Sequence, residues 1–596
     1  MIEPRIYRAA FLPALFALVL VAFSLESPPR ALDQGLAADV LFEGQTAMGP
    51  VRTIVSNAPD RRAGSPGDNV AARMAGSAFR SHSFTTTVDR WQENGRALVN
   101  VIGRRAGNSS RQIVVLAERD SFGKPDAAGS AADTAALIEF ARVFEGRASN
   151  RTLVLASVDG GELGSAGARR FADQVAGSGQ IEAVIAISDL GARQARGPLV
   201  VGWSNGTTRA GLGLQRTVTS SLAQEIGSVP GPEGTLGQFA RLAFPVAPGP
   251  QAVLLDAGLD SVRIAGGGEV RPSGPSTVPD VNVDRYGALG RSVLRMIATL
   301  DGSAREPARG EKSYLTVGGM VLPAWALKLL AVTLILPALI ASIDALARAS
   351  RRREPVARSF VWLGAAVVPL VAGLLVAWLM SLVGLIDDAA PAPPDPRAVN
   401  LNGTALSGLI ATSFTAALVW IFMRTLGLRR GEVAAAPSAG CAVSLVMAAV
   451  AMPIAVLNPF AALVLVPAVH LWMLATLTEV RVRPSLVMVA IGLVPVLAVI
   501  AYLLWRLGLS PPAGAYYVLL LVTGNQTGLL TTLACVVLLA VTLSVCAILI
   551  AQVRRGEPDA GRRDGPPEPP RPRIFGPGGH AGPGMLGGTQ SGAGRR

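Results

Sequence analysis

Six acidic residues between positions 118 and 189 have the types and spacing to bind a cation or move a proton: Glu118, Asp120, Asp133, Asp159, Glu162 and Asp189. Each stands at the end of an apolar run or at the start of an amphipathic one. Glu118 and Asp120 follow the run 113–116, Asp159 and Glu162 follow 153–158, and Asp189 follows 184–187. Asp133 opens the helical pattern 132–144. Taken singly, Asp133 reads as a helix cap, Asp120 and Asp189 as turn residues, and Glu162 as an exposed loop residue. Taken together, in this order and among their neighbouring glycines, they read as a ligand-like set. Close carboxylates cannot all stay ionised cheaply, so such a set calls for a metal ion or for nearby arginines such as Arg119 or Arg193.

The elements that must position these acids are legible around them. The runs 98–103, 113–116, 153–158 and 184–187 are near-continuous and rich in β-branched residues, as strands buried on both faces are. Segments 132–144 and 166–175 between them carry helical periodicity. The alternation predicts an α/β domain, a mostly parallel sheet flanked by helices. Sites in such sheets form beyond the carboxyl ends of the strands. Five of the acids stand at strand ends and the sixth at a helix start, so all six can face one crevice.

At these residues the chain resembles the di-zinc aminopeptidase family, metallopeptidase family twenty-eight, clearly over 98–191 and faintly over 245–300. The resemblance implies a zinc-exopeptidase-like fold. In it, segment 252–264 corresponds to the family's late strand and 280–300 to its closing helix. The family's first motif is His-x-Asp; here Glu118-Arg119-Asp120 stands there, so Asp120 matches the orienting aspartate and Glu118 replaces the histidine. Asp133 matches the bridging aspartate, with Ser130 at the place of a glycine. A Glu-Glu pair of general base and metal ligand becomes Gly161-Glu162, which keeps the ligand position and lacks the base. Asp189 matches the next ligand aspartate. The last ligand, a histidine, falls near Gly266-Gly267-Gly268-Glu269, where there is none. The resemblance thus implies Glu118, Asp133, Glu162 and Asp189 as the metal set, with Asp120 behind it and Gly161 at the position of the base.

The chain has three histidines, His82, His470 and His580, and none falls in these motifs. Zinc favours nitrogen and sulfur donors beside carboxylate. An all-carboxylate set suits calcium, magnesium or manganese instead. The cofactor expectation is therefore a divalent metal, zinc by resemblance and a harder ion by ligand chemistry, or none. Water activation also needs a base, and only Asp159 and Glu118 stand near enough to replace one. The expectation is a catalytically inactive pseudopeptidase that binds or scaffolds. The alternative is an active metal-dependent exopeptidase or amidohydrolase with a rearranged carboxylate site.

The rest of the chain bounds where this happens. The 596 residues are 50% hydrophobic with a mean hydropathy of +0.42, and the apolar residues are clustered. Runs long enough to span a bilayer occur at 9–25 and near 320–346, 359–385, 404–427, 437–457, 459–479, 485–508 and 527–552. The stretch 515–523 is short and reads as interfacial or re-entrant. Arginines follow alternate spans, at Arg351-Arg352-Arg353, Arg429-Arg430, Arg481 and Arg554-Arg555, whereas the loop from Asp387 to Asn400 is acidic and proline-rich. The positive-inside rule then places both termini in the cytoplasm and the first large domain outside it. Residues 25–29, Leu-Glu-Ser-Pro-Pro, make a poor cleavage site, so the first run reads as an uncleaved anchor.

This partitions the chain into a cytoplasmic start (1–8), an anchor (9–25), an extracytoplasmic peptidase-like domain (26–315), an all-α transmembrane domain of about seven helices (320–552) and a Pro/Gly/Arg-rich tail (553–596) expected to be disordered. One anchor, one external domain and about seven further spans resemble the layout of the endoplasmic-reticulum metallopeptidases of the same family and of the GPI-transamidase attachment subunit. The alanine-, glycine- and arginine-heavy composition points to a bacterial cell membrane. The net charge of +13 lies largely in cytoplasmic loops and the tail, with no basic stripe interleaved with aromatics, which argues against nucleic acid. The expected partners are the lipid bilayer and a peptide, glycan or envelope protein. All three cysteines fall in spans, so the external domain must be stable through its own core.

Overall fold

The computed structural model describes residues 3–33 and 42–556, apart from 123, 176, 196, 198, 230, 232, 271, 273, 387–391, 397, 398, 400, 430 and 478–481. The tail predicted as disordered lies outside the described residues from 557 onward.

Seven strands form the sheet of the first domain: β1 (Thr85–Glu93), β2 (Arg96–Arg105), β3 (Ser109–Glu118), β4 (Arg151–Val158), β5 (Ile181–Ser188), β6 (Val200–Val201) and β7 (Ser261–Ala265). Their spatial order is β1-β2-β4-β3-β5-β7-β6. The four central strands β4, β3, β5 and β7 are parallel, and the strands outside them run antiparallel. The sheet is therefore mixed, with the expected parallel centre. Alternation along each central strand feeds two cores. Ile113, Val115 and Ala117 of β3 face one core with Leu153, Leu155, Ile185 and Ile187. Val114 and Leu116 face the other with Val154, Ala156, Val158 and Val184. Burial on both faces is why these strands read as continuous apolar runs.

Helices cover both faces. After the first span, α1 (Pro4–Phe23), the helices of this domain are α2 (Gly44–Asn57), α3 (Pro66–Ser81), α4 (Ala132–Phe144), α5 (Ala166–Val175), α6 (Leu212–Ile226), α7 (Thr235–Ala243), α8 (Pro250–Asp256) and α9 (Val283–Gly302). Phe79, Phe140, Leu214, Tyr286 and Met296 of α3, α4, α6 and α9 fill the larger core. Phe171 of α5 and Val253 and Leu254 of α8 fill the smaller. One expectation needs correction: the late strand, expected over 252–264, is only β7. Pro250 starts a helix at its first position, and Gly258, at φ 84°, turns the chain before the strand begins.

A hairpin of β8 (Tyr314–Val317) and β9 (Met320–Pro323) leads into the apolar half. Its helices are α10 (Ala324–Arg351), α11 (Val356–Leu382), α12 (Gly403–Thr425), α13 (Pro437–Leu457), α14 (Pro459–Leu477), α15 (Arg483–Leu507), α16 (Pro511–Thr523) and α17 (Leu529–Arg554). Together with α1, eight of these are long and apolar enough to cross a membrane. Helix α16, at 13 residues, is not. The first span packs into the bundle: the Tyr7 hydroxyl lies 2.7 Å from Nδ1 of His470, whose Nε2 lies 2.8 Å from the Leu334 carbonyl oxygen.

The two halves meet through polar as well as apolar contacts. Leu242 and Ala247 share a cluster with Phe460 and Val464. Asn458 donates to the Leu242 carbonyl at 2.8 Å. Arg506, in the last turn of α15, reaches Glu269 of the first domain at 2.9 Å.

Candidate functional site

The carboxyl ends of β3, β4 and β5 bring the predicted acids to one end of the sheet, and each is held there by local contacts. Asp120 accepts from the backbone N–H groups of Gly161 and Glu162, one on each oxygen, at 2.8 and 2.9 Å. It thereby fastens the loop after β4 to the loop after β3. Asp133, at the start of α4, accepts from the N–H groups of Asp189 and Leu190 at 2.8 and 2.9 Å. Asp189 itself is left-handed, at φ 54°, a conformation aspartate tolerates better than most residues. Glu162 accepts from the Ala63 N–H at 3.1 Å and pairs with Arg96. Glu118 is buried at the end of β3.

The centre of the network is a residue sequence reasoning treated only as a counter-charge. Arg119 is fully buried. Its Nε and Nη2 donate to both oxygens of Asp68 at 2.9 and 2.6 Å, in the two-pronged geometry that suits guanidinium and carboxylate. Further donors reach the Val99 carbonyl at 2.7 Å and the Ser157 carbonyl at 3.1 Å. Asp159 lies 3.8 Å away and accepts from the Val99 and Gly160 N–H groups. Arg61, also fully buried, donates to Ser130 at 2.9 Å and to the Ala58 carbonyl at 2.7 Å. Asp68, Arg61 and Arg96 escaped sequence reasoning because they precede the motifs. The one available signal was Ser65-Pro66-Gly67-Asp68, which reads as an ordinary capped helix start, and Ser65 does accept from the Asp68 N–H at 3.1 Å. Arg193 is exposed on a rim of the domain, near Asp280.

The position of the family's base is shaped by its neighbours. A Cβ on Gly161 would stand 2.9 Å from the Glu118 carboxyl and 3.0 Å from an Asp120 oxygen. Gly161→Glu alone is therefore expected to destabilise the fold, by about 1–3 kcal/mol from overpacking, and not to restore hydrolysis. Thermal unfolding beside an aminopeptidase assay checks both halves of that expectation.

Burial and the charges of Asp159, Glu118 and Glu162 push the Asp120 carboxyl up to about 7. Burial and Asp68 push Asp159 up to about 7 as well, against the pull of Arg119. Burial also raises Glu162, more than Arg96 lowers it. A raised carboxyl keeps its proton in the folded chain at pH values where the unfolded chain has lost it. The stability these acids contribute is full below about pH 4 and is lost as pH rises to about 7. Groups held low, such as Glu269 and Glu225, change stability only below their ordinary range. The full chain in chelator should therefore be more stable at pH 5 than at pH 8 by on the order of 2 kcal/mol, read as a higher unfolding temperature at pH 5. A midpoint that stays flat or rises from pH 5 to pH 8 would contradict the arrangement.

These residues do not fit zinc as placed. His82 is paired with Glu145 at 2.9 Å, and His470 lies among the apolar helices. Both oxygens of Asp120 and of Asp133 already accept amide hydrogens. Among the described residues, no three or more His, Cys, Asp or Glu side chains are grouped to hold a metal ion. Near where the resemblance places a last histidine, Glu269 is locked between Arg241 and Arg506, and its carbonyl accepts from Arg263 at 2.7 Å. Burial alone would raise Glu269; the three arginines outweigh it and hold the carboxyl below its usual range. The crevice between Glu118, Gly161, Ser165, Arg263 and Glu269 narrows to a cavity of about 10 Å³, room for about one water.

Residues 100–235 match Peptidase family M28. No curated protein sequence matches the chain. Among solved structures, a glutaminyl cyclase from an Acidobacteriales bacterium is similar at 16% identity, covering 46% of this chain and 98% of that one, with a TM-score of 0.35. A zinc aminopeptidase from Bacillus subtilis is similar at 13% identity, over 46% of this chain and 98% of that one, with a TM-score of 0.35. The LapA aminopeptidase of Legionella pneumophila is similar at 13% identity, over 44% and 72%, with a TM-score of 0.36. The chain thus carries a Peptidase family M28 domain, matched over residues 100–235, beside eight helices with the length and composition of membrane spans.

Proposed function

We propose that residues 26–315 form an extracytoplasmic, peptidase-like binding domain without hydrolytic activity, carried by a multi-pass cell-membrane protein whose termini lie in the cytoplasm. The observation that supports this reading best is how the carboxylates are used. Asp120 and Asp133 each accept two backbone N–H groups, and Glu162 is paired with Arg96. Side chains that bind metal in a family enzyme, or orient a ligand as the counterpart of Asp120 does, here fasten loops to one another. That keeps the shape of a crevice at the strand ends and suits recognition of a peptide, glycan or envelope protein. The orientation rests on the arginines that follow alternate spans.

One observation favours a second reading, a metal-dependent exopeptidase with a rearranged site. The Glu118 carboxyl lies against position 161 and so puts a carboxylate beside the place of the missing base. In that arrangement Glu118, Asp133, Glu162 and Asp189 would be the metal set. The full chain in lipid nanodiscs, assayed on aminoacyl-coumarin substrates with added zinc, manganese or calcium, separates the two. The binding reading expects no turnover above background and no difference between the wild type and Glu118→Gln. Metal-dependent turnover that Glu118→Gln abolishes would establish the second.

A further inference from the structure

Three of the residues lining the crevice come from the apolar half. Pro393, Asp395 and Pro396, on the loop between α11 and α12, line the same cavity as Glu118, Gly161 and Ser165 on one side and Arg263, Glu269 and Val270 on the other. Ala392, 6% exposed, joins the smaller core of the first domain with Phe171, Val253 and Leu254. The backbone of the same segment is held from behind. The Tyr517 hydroxyl of α16 donates to the Pro394 carbonyl at 3.0 Å, and the Gln526 amide donates to the Ala392 carbonyl at 2.8 Å. Tyr517 is itself buried beside Phe244, Val246 and Val270.

This arrangement is asymmetric. The segment's main-chain hydrogen bonds to α16 and Gln526 run to the apolar half, while Pro393, Asp395 and Pro396 fill a crevice in the other domain. A strand or loop belonging to the sheet would spend its backbone groups on the sheet. An extended proline segment has few backbone donors and is already stiff, so it can enter and leave a groove with little ordering cost. With it in place, the cavity admits about one water. The segment thus lines what little space is left beside Glu118 and Ser165.

We infer that the crevice is a binding site for an extended, proline-bearing peptide, and that the chain's own segment 392–396, Ala-Pro-Pro-Asp-Pro, occupies it in cis as a displaceable strap latched by Tyr517 and Gln526. This inference rests on reading the crevice as a binding site and names both the ligand class and what controls access. The buried Arg263 and the acidic Asp395 share the cavity, so a competing peptide is expected to carry an acidic residue beside its prolines.

The test uses the full chain in nanodiscs and a fluorescein-labelled copy of the pentapeptide Ala-Pro-Pro-Asp-Pro. One variant carries Pro393→Gly, Pro394→Gly, Asp395→Ser and Pro396→Gly, which keeps the loop length and removes the strap's side chains. A second carries Tyr517→Phe and Gln526→Leu, which releases the latch and leaves the strap intact. Both should bind the peptide saturably and at least about tenfold more tightly than the unaltered chain, because an internal competitor lowers apparent affinity by the fraction of open sites. Amide exchange over 160–166 should rise in both. Equal binding by all three chains overturns the strap and leaves the binding domain standing. Binding by none, with all three folded by their exchange elsewhere, overturns the strap and the peptide-binding reading together.

Discussion

Arg119→Met should destabilise the first domain by about 3–5 kcal/mol. The guanidinium it removes is fully buried and satisfies both oxygens of Asp68, the Val99 carbonyl and Ser157 at once. Methionine fills much of the volume and leaves Asp68 as a buried carboxylate beside Asp159, without its ion-pair partner and with only the unpaired field of Arg61 to offset it. The cost lies in that stranded charge more than in lost packing. Removing the charge as well should therefore recover part of it: Asp68→Asn with Arg119→Met should be more stable than Arg119→Met alone. Thermal unfolding of the purified chain, followed by limited proteolysis of the first domain, measures the cycle. An Arg119→Met loss below about 1 kcal/mol would show that the pair is not the keystone of the strand ends.

Glu269→Leu is the second change with a large expected effect, again about 3–5 kcal/mol, and it acts at the junction of the two halves. Glu269 is the shared anion of Arg241 and Arg506, and Arg263 holds its carbonyl. Without it, two buried or half-buried guanidinium groups face each other across the contact between the first domain and α15. Arg241 keeps Glu233 at 2.7 Å, so the cluster retains one anion for its cations. Arg506→Met should cost less than Glu269→Leu, about 1–2 kcal/mol, because Glu269 remains paired with Arg241. The ranking is the informative result. If Arg506→Met is the costlier change, the anchoring of the domain to α15 outweighs the internal pair.

The two predictions mark what could be read in the sequence and what could not. Strands 98–103, 113–116, 153–158 and 184–187 were legible because burial on both faces leaves a continuous apolar run, and helix 166–175 because one face is buried while Asp173 and Gln174 are exposed. Helix 132–144 was legible by the helical spacing of its apolar residues, although Arg142 is its one exposed residue. The order of the strands was not legible. Nothing local tells β2 to run antiparallel beside β4 while β3 lies parallel to it. The late strand was misread at its start because segment 252–255 is apolar in either conformation, and Pro250 and Gly258 decide which it adopts.

The candidate site divides in the same way. Asp120, Asp133 and Glu162 were found by their spacing, yet their hydrogen-bond partners, backbone N–H groups at 161, 162, 189 and 190 and the side chain of Arg96, carry no sequence signal. Asp68 lies 51 positions before Arg119, and Arg506 lies 237 after Glu269. Contacts at such separations are products of the tertiary fold. The acidic, proline-rich loop after Asp387 was visible as a loop, and its position against Glu118 was not.

The central claim is that a peptidase fold has kept its crevice and turned its metal carboxylates into loop fasteners. Elemental analysis of the full chain, purified from membranes without chelator and without added metal, tests it most directly. The account predicts no stoichiometric zinc, and unfolding that does not shift when zinc is added. Zinc at about one or two equivalents per chain, lost on chelation together with thermal stability and peptide hydrolysis, would contradict it.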